Sequence, residues 1–277
     1  MSMEVIEFSE TRFIGPNDSM LGDGFNQTKY VWKGNPNKPA IVIGPESTKE
    51  FLYFSDVGNF RLQGGFIQFH KLGQHCMFHN ILIEGTEFGI VIEEAIGERQ
   101  LFDKILVWNC GQGVKVEATR PLNGLHFRDC NFQNNSDAGI VLETMGSNVD
   151  IVDTIFERCT IQANSVGVGL KGWVNGTRFR DTWIEEPKGL KTGIVSRVSR
   201  FMDGMARRPN NTVFEGSTTI SQCEFAYSGY DDGLIDIDSL VLTGQLNQFR
   251  STQQPTGRML RVNKKKLLNA NGSQWFA

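Results

Sequence analysis

The sequence has no surplus of positive charge, no long apolar run and no stretch with helical spacing. Its 28 Lys and Arg against 31 Asp and Glu leave a net charge of -3, which offers no basic surface to a nucleic acid. No apolar segment reaches the length of a membrane-crossing helix, so membrane insertion is not expected. The opening MSMEVIEFSE lacks a basic-then-apolar leader, so the expectation is either assembly without export or a leader already removed. Histidine is scarce: His70, His75 and His79 lie close together and His126 stands alone. Their spacing is not that of a helical zinc motif, so they read as turn and surface residues, with no metal assigned. No Gly-rich phosphate loop precedes a helical stretch, which argues against a nucleotide. Of the 5 Cys, Cys130 and Cys159 share one position of a repeat and read as small buried apolar groups rather than a disulfide.

What the sequence does hold is 30 Gly and 20 Phe, distributed with a period. The pattern is Phe-x-x-(Ile/Cys/Thr)-x-(Ile/Val/Phe), a short polar turn, then Gly-(Ile/Val)-x-(Ile/Val/Leu). The Phe recurs at Phe78, Phe102, Phe127, Phe156 and Phe179, in steps of 24, 25, 29 and 23 residues. The Gly recurs at Gly89, Gly113, Gly139, Gly167 and Gly193, in steps of 24, 26, 28 and 26. Within each unit the apolar residues alternate over four or five positions, which means short strands. Repeats of this length built only of short strands and turns predict an all-β chain, a parallel β-helix with coils of about 24 residues.

A single β-helix domain is expected over residues 1–277. Residues 1–53 read as a lead-in with irregular first coils, 54–195 as the main coils and 196–211 as a projecting loop. Resumed coils are expected over 212–243, carried by Ile220, Cys223, Phe225 and Gly233, and a last coil or cap over 244–277. Phe54 and Gly65 lie 24 residues before Phe78 and Gly89 and place the first register there. Asn109, Asn134 or Asn135, and Asn164 occupy one turn, where Asn tolerates a left-handed backbone and its amide can bond to the neighbouring coil.

The segment SMLGDGFNQTKYVW resembles the G-x-G…T opening of many pectin-lyase-like, right-handed parallel β-helices. The FxxCxI…N…GI units, over about residues 14–240, resemble the coil repeat of that superfamily. Within it, the missing leader and irregular first coils look most like a bacteriophage tail spike or fibre. The resemblance implies an elongated homotrimer, on a virion tail or otherwise extracellular, that binds and commonly cleaves a surface polysaccharide. It implies calcium only if cleavage follows a lyase route. A non-catalytic receptor-binding or structural spike, and a secreted pectate-lyase-like or polygalacturonase-like enzyme, remain the alternatives.

Four residues after each Gly stand Glu93, Glu117, Glu143, Lys171 and Arg197. On a β-helix they form a ladder on one outer face, with carboxyls on neighbouring coils ~5 Å apart. That spacing suits a pair of catalytic carboxylates, which makes Glu117 and Glu143 catalytic candidates and Glu93, Lys115 and Lys171 substrate-binding ones. The plain alternative is a solvated polar edge. Asp231 and Asp232, in SGYDDGLIDI, form a second catalytic candidate. Their placement before a Gly strand resembles the Asp-Asp element of polygalacturonase-type hydrolases. The chain lacks that family's Asn-Thr-Asp, Gly-His-Gly and Arg-Ile-Lys elements, and Asp and Gly are ordinary turn residues. On the other strand, Leu82, Leu106 and Trp183 form an interrupted outward stripe beside Trp108. The aliphatic members read as an oligomer contact, and the Trp rings as surfaces for sugars. Trp183, Glu185, Arg207 and Arg208 together make an alternative groove.

Overall fold

A computed structural model describes residues 3–15, 18–44, 55–70, 73, 75–93, 100–185, 192–197 and 199–200. It further describes 206–207, 209, 211–221, 225–229, 235–237, 240–243, 248–251, 260–262 and 267–269. From residue 192 onward, side chains are described only at 193, 194, 209 and 211–221. The described residues contain strands and no helix, hence no helix able to cross a membrane.

The chain winds into a right-handed parallel β-helix. One coil, followed through its middle turn, consists of four short strands. Leu122–Asn123 leads into Leu125–Arg128, which carries the repeat Phe; Asn131–Gln133 and Ala138–Thr144 complete the coil. The last three strands pair in parallel with their counterparts one coil before and one coil after, and Leu122–Asn123 pairs with Ile151–Val152 of the next coil. Phe102, Phe127, Phe156, Phe179 and Phe214 are register partners in succession. Along the last strand, Ile90, Val114, Ile140, Val168 and Ile194 are likewise aligned.

Sterics explain why these residue types recur. The repeat Phe side chains are fully buried and stack down the axis, with ring centroids 4.8–5.4 Å apart from Phe78 to Phe214. Burying such a ring contributes roughly 1.5–3 kcal/mol, so the stack is the main apolar column of the core. Two residues after each Phe the chain turns through a left-handed residue: Asn80, Lys104, Asp129, Arg158, Asp181 and Gly216. The repeat Gly has a different cause. A Cβ at Gly139 would lie 2.8 Å from the Gly167 carbonyl of the next coil, so only glycine lets the coils approach there.

Inside the coil, the predicted turn Asn separates into two adjacent roles. Asn109, Asn134 and Ala163 take the left-handed conformation. The next residues, Cys110, Asn135 and Asn164, are buried. Asn164 donates from Nδ2 to the Phe132 carbonyl at 3.0 Å. A second polar ladder runs through the position three or four residues after each Phe. Cys130, Cys159, Thr182 and Thr218 donate to the carbonyls of Phe102, Phe127, Phe156 and Phe179, the preceding Phe in each case. Cys130 and Cys159 are free thiols, not a disulfide.

The register departs from the sequence expectation at both ends. Val57, not a residue at the Phe54 phase, faces Phe78, and Ile67 faces Ile90, so Phe66 rather than Gly65 precedes the paired segment. Phe54 itself lies outside the described residues. The lead-in is already coiled: Glu4–Phe8 pairs with Thr28–Trp32, and Arg12–Ile14 with Ile41–Ile43. Beyond Arg197, a short antiparallel pair, Ser199–Arg200 with Ala206–Arg207, interrupts the parallel ladders. The coil then resumes at Phe214 and Ile220 rather than at Ile220 and Phe225. Phe225–Gly229 takes the Gly-strand place beside Thr192–Arg197, and the parallel pairing persists to Leu267–Asn269.

Candidate functional site

The outer row of the Gly strands is a true ladder. Glu117, Glu143, Lys171 and Arg197 are register partners on successive coils. Glu93 stands one residue beyond Ile92, which pairs with Val116, and so heads the same row. Alternation along each strand turns Glu93, Glu117, Glu143 and Lys171 outward while Ile92, Val116, Leu142 and Leu170 are buried.

Carboxylates stacked at coil spacing repel unless partners relieve them, and here Glu93, Glu117 and Glu143 each have a basic side chain against them. His70 Nδ1 lies 3.1 Å from a Glu93 oxygen. Lys115, two residues before Glu117, places its ammonium 2.8 Å from that carboxylate and 4.9 Å from the Phe88 ring centroid. Lys171 forms an ion pair with Glu143 on the preceding coil. Beside these rungs a depression of about 190 Å³ runs across the strands, lined by Gln112, Asp137, Val141, Glu143, Gly169 and Lys171. At its far end Gln112 donates to Asp137 at 2.6 Å.

The other candidates lie elsewhere. Trp183 and Glu185 face outward from the Trp183–Glu185 strand, in the sheet that carries the Phe column, not beside the Glu ladder. Glu185 accepts a hydrogen bond from Gln162 at 2.9 Å. Asp231, Asp232 and Arg208 lie outside the described residues, and Arg207 is described only as part of a backbone strand. The strand after the Asp pair, Ile235–Ile237, pairs with Val213–Glu215 and so continues the Phe track. The Asp pair therefore does not precede a Gly strand, which removes the basis of its resemblance to the hydrolase element.

A third outer face was missed in the sequence. The residue after each repeat Phe reads His79, Asp103, Arg128, Glu157, Arg180 and Glu215, nearly alternating in charge, and these are register partners. Arg128 bonds Asp103 at 2.7 Å and Arg180 bonds Glu215 at 2.9 Å. At the corner behind them, Arg158 holds Asp129 at 2.8 Å and lowers its pKa, chiefly by that hydrogen bond. Above this row opens a cleft of about 610 Å³ lined by His75, Met77, Leu101, His126, Arg128 and Asp153 among others. The alternation of signs at one repeat position was the available signal. Among the described residues, no group of three or more His, Cys, Asp or Glu is arranged to hold a metal ion. His70, His79 and His126 each bond an acidic side chain, Glu93, Asp56 and Glu157 respectively.

The family model described as right handed beta helix region matches residues 35–195. No curated protein matches the chain. Among solved structures, ORF18 of Geobacillus virus E2 superimposes with a TM-score of 0.66 at 12% identity, covering 96% of this chain and 51% of that one. The A-module of the Azotobacter vinelandii mannuronan C-5 epimerase AlgE6 gives 0.56 at 9% identity, covering 96% and 92%. The catalytic domain of a GH87 alpha-1,3-glucanase, in complex with tetrasaccharides, gives 0.53 at 9% identity, covering 98% and 63%. The chain thus spans about half the length of the viral protein it matches. At these identities the likeness is one of fold.

Proposed function

The chain belongs to the right-handed β-helix family, and we propose that it binds and cleaves a polysaccharide with carboxylates on the outer face of its Gly strands. The observation that carries this reading is the register pairing of Glu117 with Glu143, the second of which lines a depression of about 190 Å³. Two structures of the same fold are named for polysaccharide chemistry, a mannuronan epimerase and an alpha-1,3-glucanase. Fold does not fix chemistry, so the assignment rests on the two carboxylates.

Carboxyls on neighbouring coils stand at ~5 Å, the separation at which one acts as nucleophile and the other as acid and then base. Their environments divide the roles. Lys171 reaches across from the next coil and pairs with Glu143, the carboxylate assigned as nucleophile. Lys115 lies against Glu117 on the same strand and at the same time over the Phe88 ring. Glu117 is assigned as the acid, and Gln112 and Asp137, which line the depression, hold the polymer. The protein acts outside the cell or on a virion tail, as a homotrimer, and sedimentation velocity tests that assembly.

A second reading, recognition without cleavage, is favoured by the pairing of Glu93, Glu117 and Glu143, each already engaged by a basic side chain. One experiment separates the two. The protein is incubated with a panel of bacterial and plant polysaccharides while reducing ends and unsaturated products are both followed. Reducing ends alone support the carboxylate pair. Unsaturated products transfer the chemistry to a lyase route. Binding without either product makes the protein a recognition spike, and no binding at all contradicts both readings.

A further inference from the structure

We infer that the outer face of the middle strands, the face that carries Gln133 and Gln162, is a separate glycan-docking platform built on Trp108 and Trp183. The inference rests on the polysaccharide reading above but not on the Glu117–Glu143 pair. Leu82, Leu106, Asn131, Thr160, Trp183 and Thr219 follow one another in register down this face. A parallel row two residues on holds Glu84, Trp108, Gln133, Gln162 and Glu185. The two indoles therefore stand three coils apart, roughly 14 Å along the axis at ~4.8 Å per coil. Between them lie only neutral hydrogen-bonding side chains: Asn131, Gln133, Thr160 and Gln162.

The exposures decide between a sugar and a second protein chain. Trp183 is 51% exposed and Trp108 36%, whereas Leu82 is 9% exposed. Leu82 is thus covered by its own neighbours and Leu106 is half-buried, and the most open apolar groups are two flat rings separated by neutral polar side chains. A stable oligomer contact buries a continuous patch of about 800 Å² on each partner, which two isolated indoles do not supply. A glycan asks for something different: apolar ring faces for its C–H surfaces and neutral donors and acceptors for its hydroxyls. Neither indole makes a ring contact or a side-chain hydrogen bond among the described residues. The nearby acids are engaged, Glu84 with Arg61 and Glu185 with Gln162. The platform is therefore uncharged over its centre and suited to an extended chain of neutral sugars.

The test is affinity electrophoresis of the full chain through gels containing xylan, dextran, alginate or polygalacturonate, with acrylamide quenching of tryptophan emission in parallel. Trp108→Ala, Trp183→Ala, the double variant and Trp183→Phe are compared with Glu143→Gln, after thermal melts confirm folding. The expected result is retardation by a neutral glycan that protects the emission from quenching. Each single Ala variant loses about tenfold in affinity, the double variant loses measurable binding, and Trp183→Phe loses less than Trp183→Ala. Binding unchanged in both Trp variants but weakened by Glu143→Gln overturns the platform and leaves the polysaccharide reading standing. Dissociation of an oligomer by the Trp variants overturns it in favour of a protein interface. No retardation of the wild-type chain by any of the four glycans overturns it together with the reading it rests on.

Discussion

Asn164 accepts two hydrogen bonds from Asn135 through a single oxygen: the Asn135 backbone N–H and its Nδ2 both lie 3.0 Å from Asn164 Oδ1. The Asn135 Oδ1 in turn accepts the Cys110 N–H of the preceding coil at 3.0 Å. The amide column replaces the strand ladder at a corner where the backbone turns away from its own hydrogen-bonding direction. Asn164→Ala leaves a buried backbone N–H and the Phe132 carbonyl without these partners. It should cost about 2–4 kcal/mol in chemical denaturation, since each buried unsatisfied group costs about 1–3 kcal/mol. The neighbouring change has the opposite sign. Ala163 has φ of 57°, and Ala163→Gly should be neutral or stabilising by up to about 1 kcal/mol.

Truncation of the aromatic column should be severe and graded. Phe127 stacks on Phe102 and Phe156 and meets Phe132 edge-on. Phe127→Ala should lower stability by about 3–5 kcal/mol and Phe127→Leu by less. Leu21→Ala, at a side chain that is largely exposed, should change it little. Equilibrium unfolding of the three variants checks the order.

The four described thiols should resist alkylation in the native protein. Burial pushes Cys110 up to about 11 and raises Cys76 and Cys130 as well, so little thiolate exists near neutral pH. Peptide mapping after native iodoacetamide treatment should find Cys76, Cys110, Cys130 and Cys159 unmodified, and modified after unfolding. Cys130→Thr should be tolerated, because Thr182 and Thr218 already make the equivalent bond to a Phe carbonyl.

The Asp129–Arg158 pair gives a stability term with a definite pH direction. The Asp129 carboxyl has a folded pKa below its ordinary value, mainly through the Arg158 hydrogen bond. Its contribution is thus present above the unfolded pKa near 3.9 and is lost as pH falls through the folded value. Asp129→Asn keeps a residue that tolerates the left-handed backbone and removes the charge. The melting temperature of wild type should exceed that of the variant at neutral pH, and the gap should close on acidification below pH ~4. Arg158 is exposed and Asp129 about a third exposed, so the gap should be small and shrink with salt.

The central coils were legible because one residue type solves one steric problem at each position. Phe at Phe102 or Phe127 fills the axis, and Gly at Gly113 or Gly139 admits the neighbouring carbonyl. Where another residue solves the same problem, the period disappears from the sequence. Val57 stands in the Phe column 21 residues before Phe78, and Ile237 follows Phe214 in it, so both ends read as irregular. The short strands Leu122–Asn123, Ile151–Val152 and Val174–Asn175 pair in register, but two residues carry no alternation to recognise. The Glu rungs were legible as a row. Their cations were not, because the partner sits two residues away for Glu117 and one coil away for Glu143 and Glu93. Such pairing depends on register rather than on local spacing.

The central claim is that Glu117 and Glu143 cleave a glycosidic bond together. Reducing-end release from a polysaccharide that the wild type degrades should be measured for wild type, Glu117→Gln and Glu143→Gln at matched folding and matched binding. Each variant should lose at least about a hundredfold in kcat, the scale of a positioned acid or base, with polysaccharide affinity retained. Wild-type rates in both variants would contradict it and move the chemistry off the Gly-strand face.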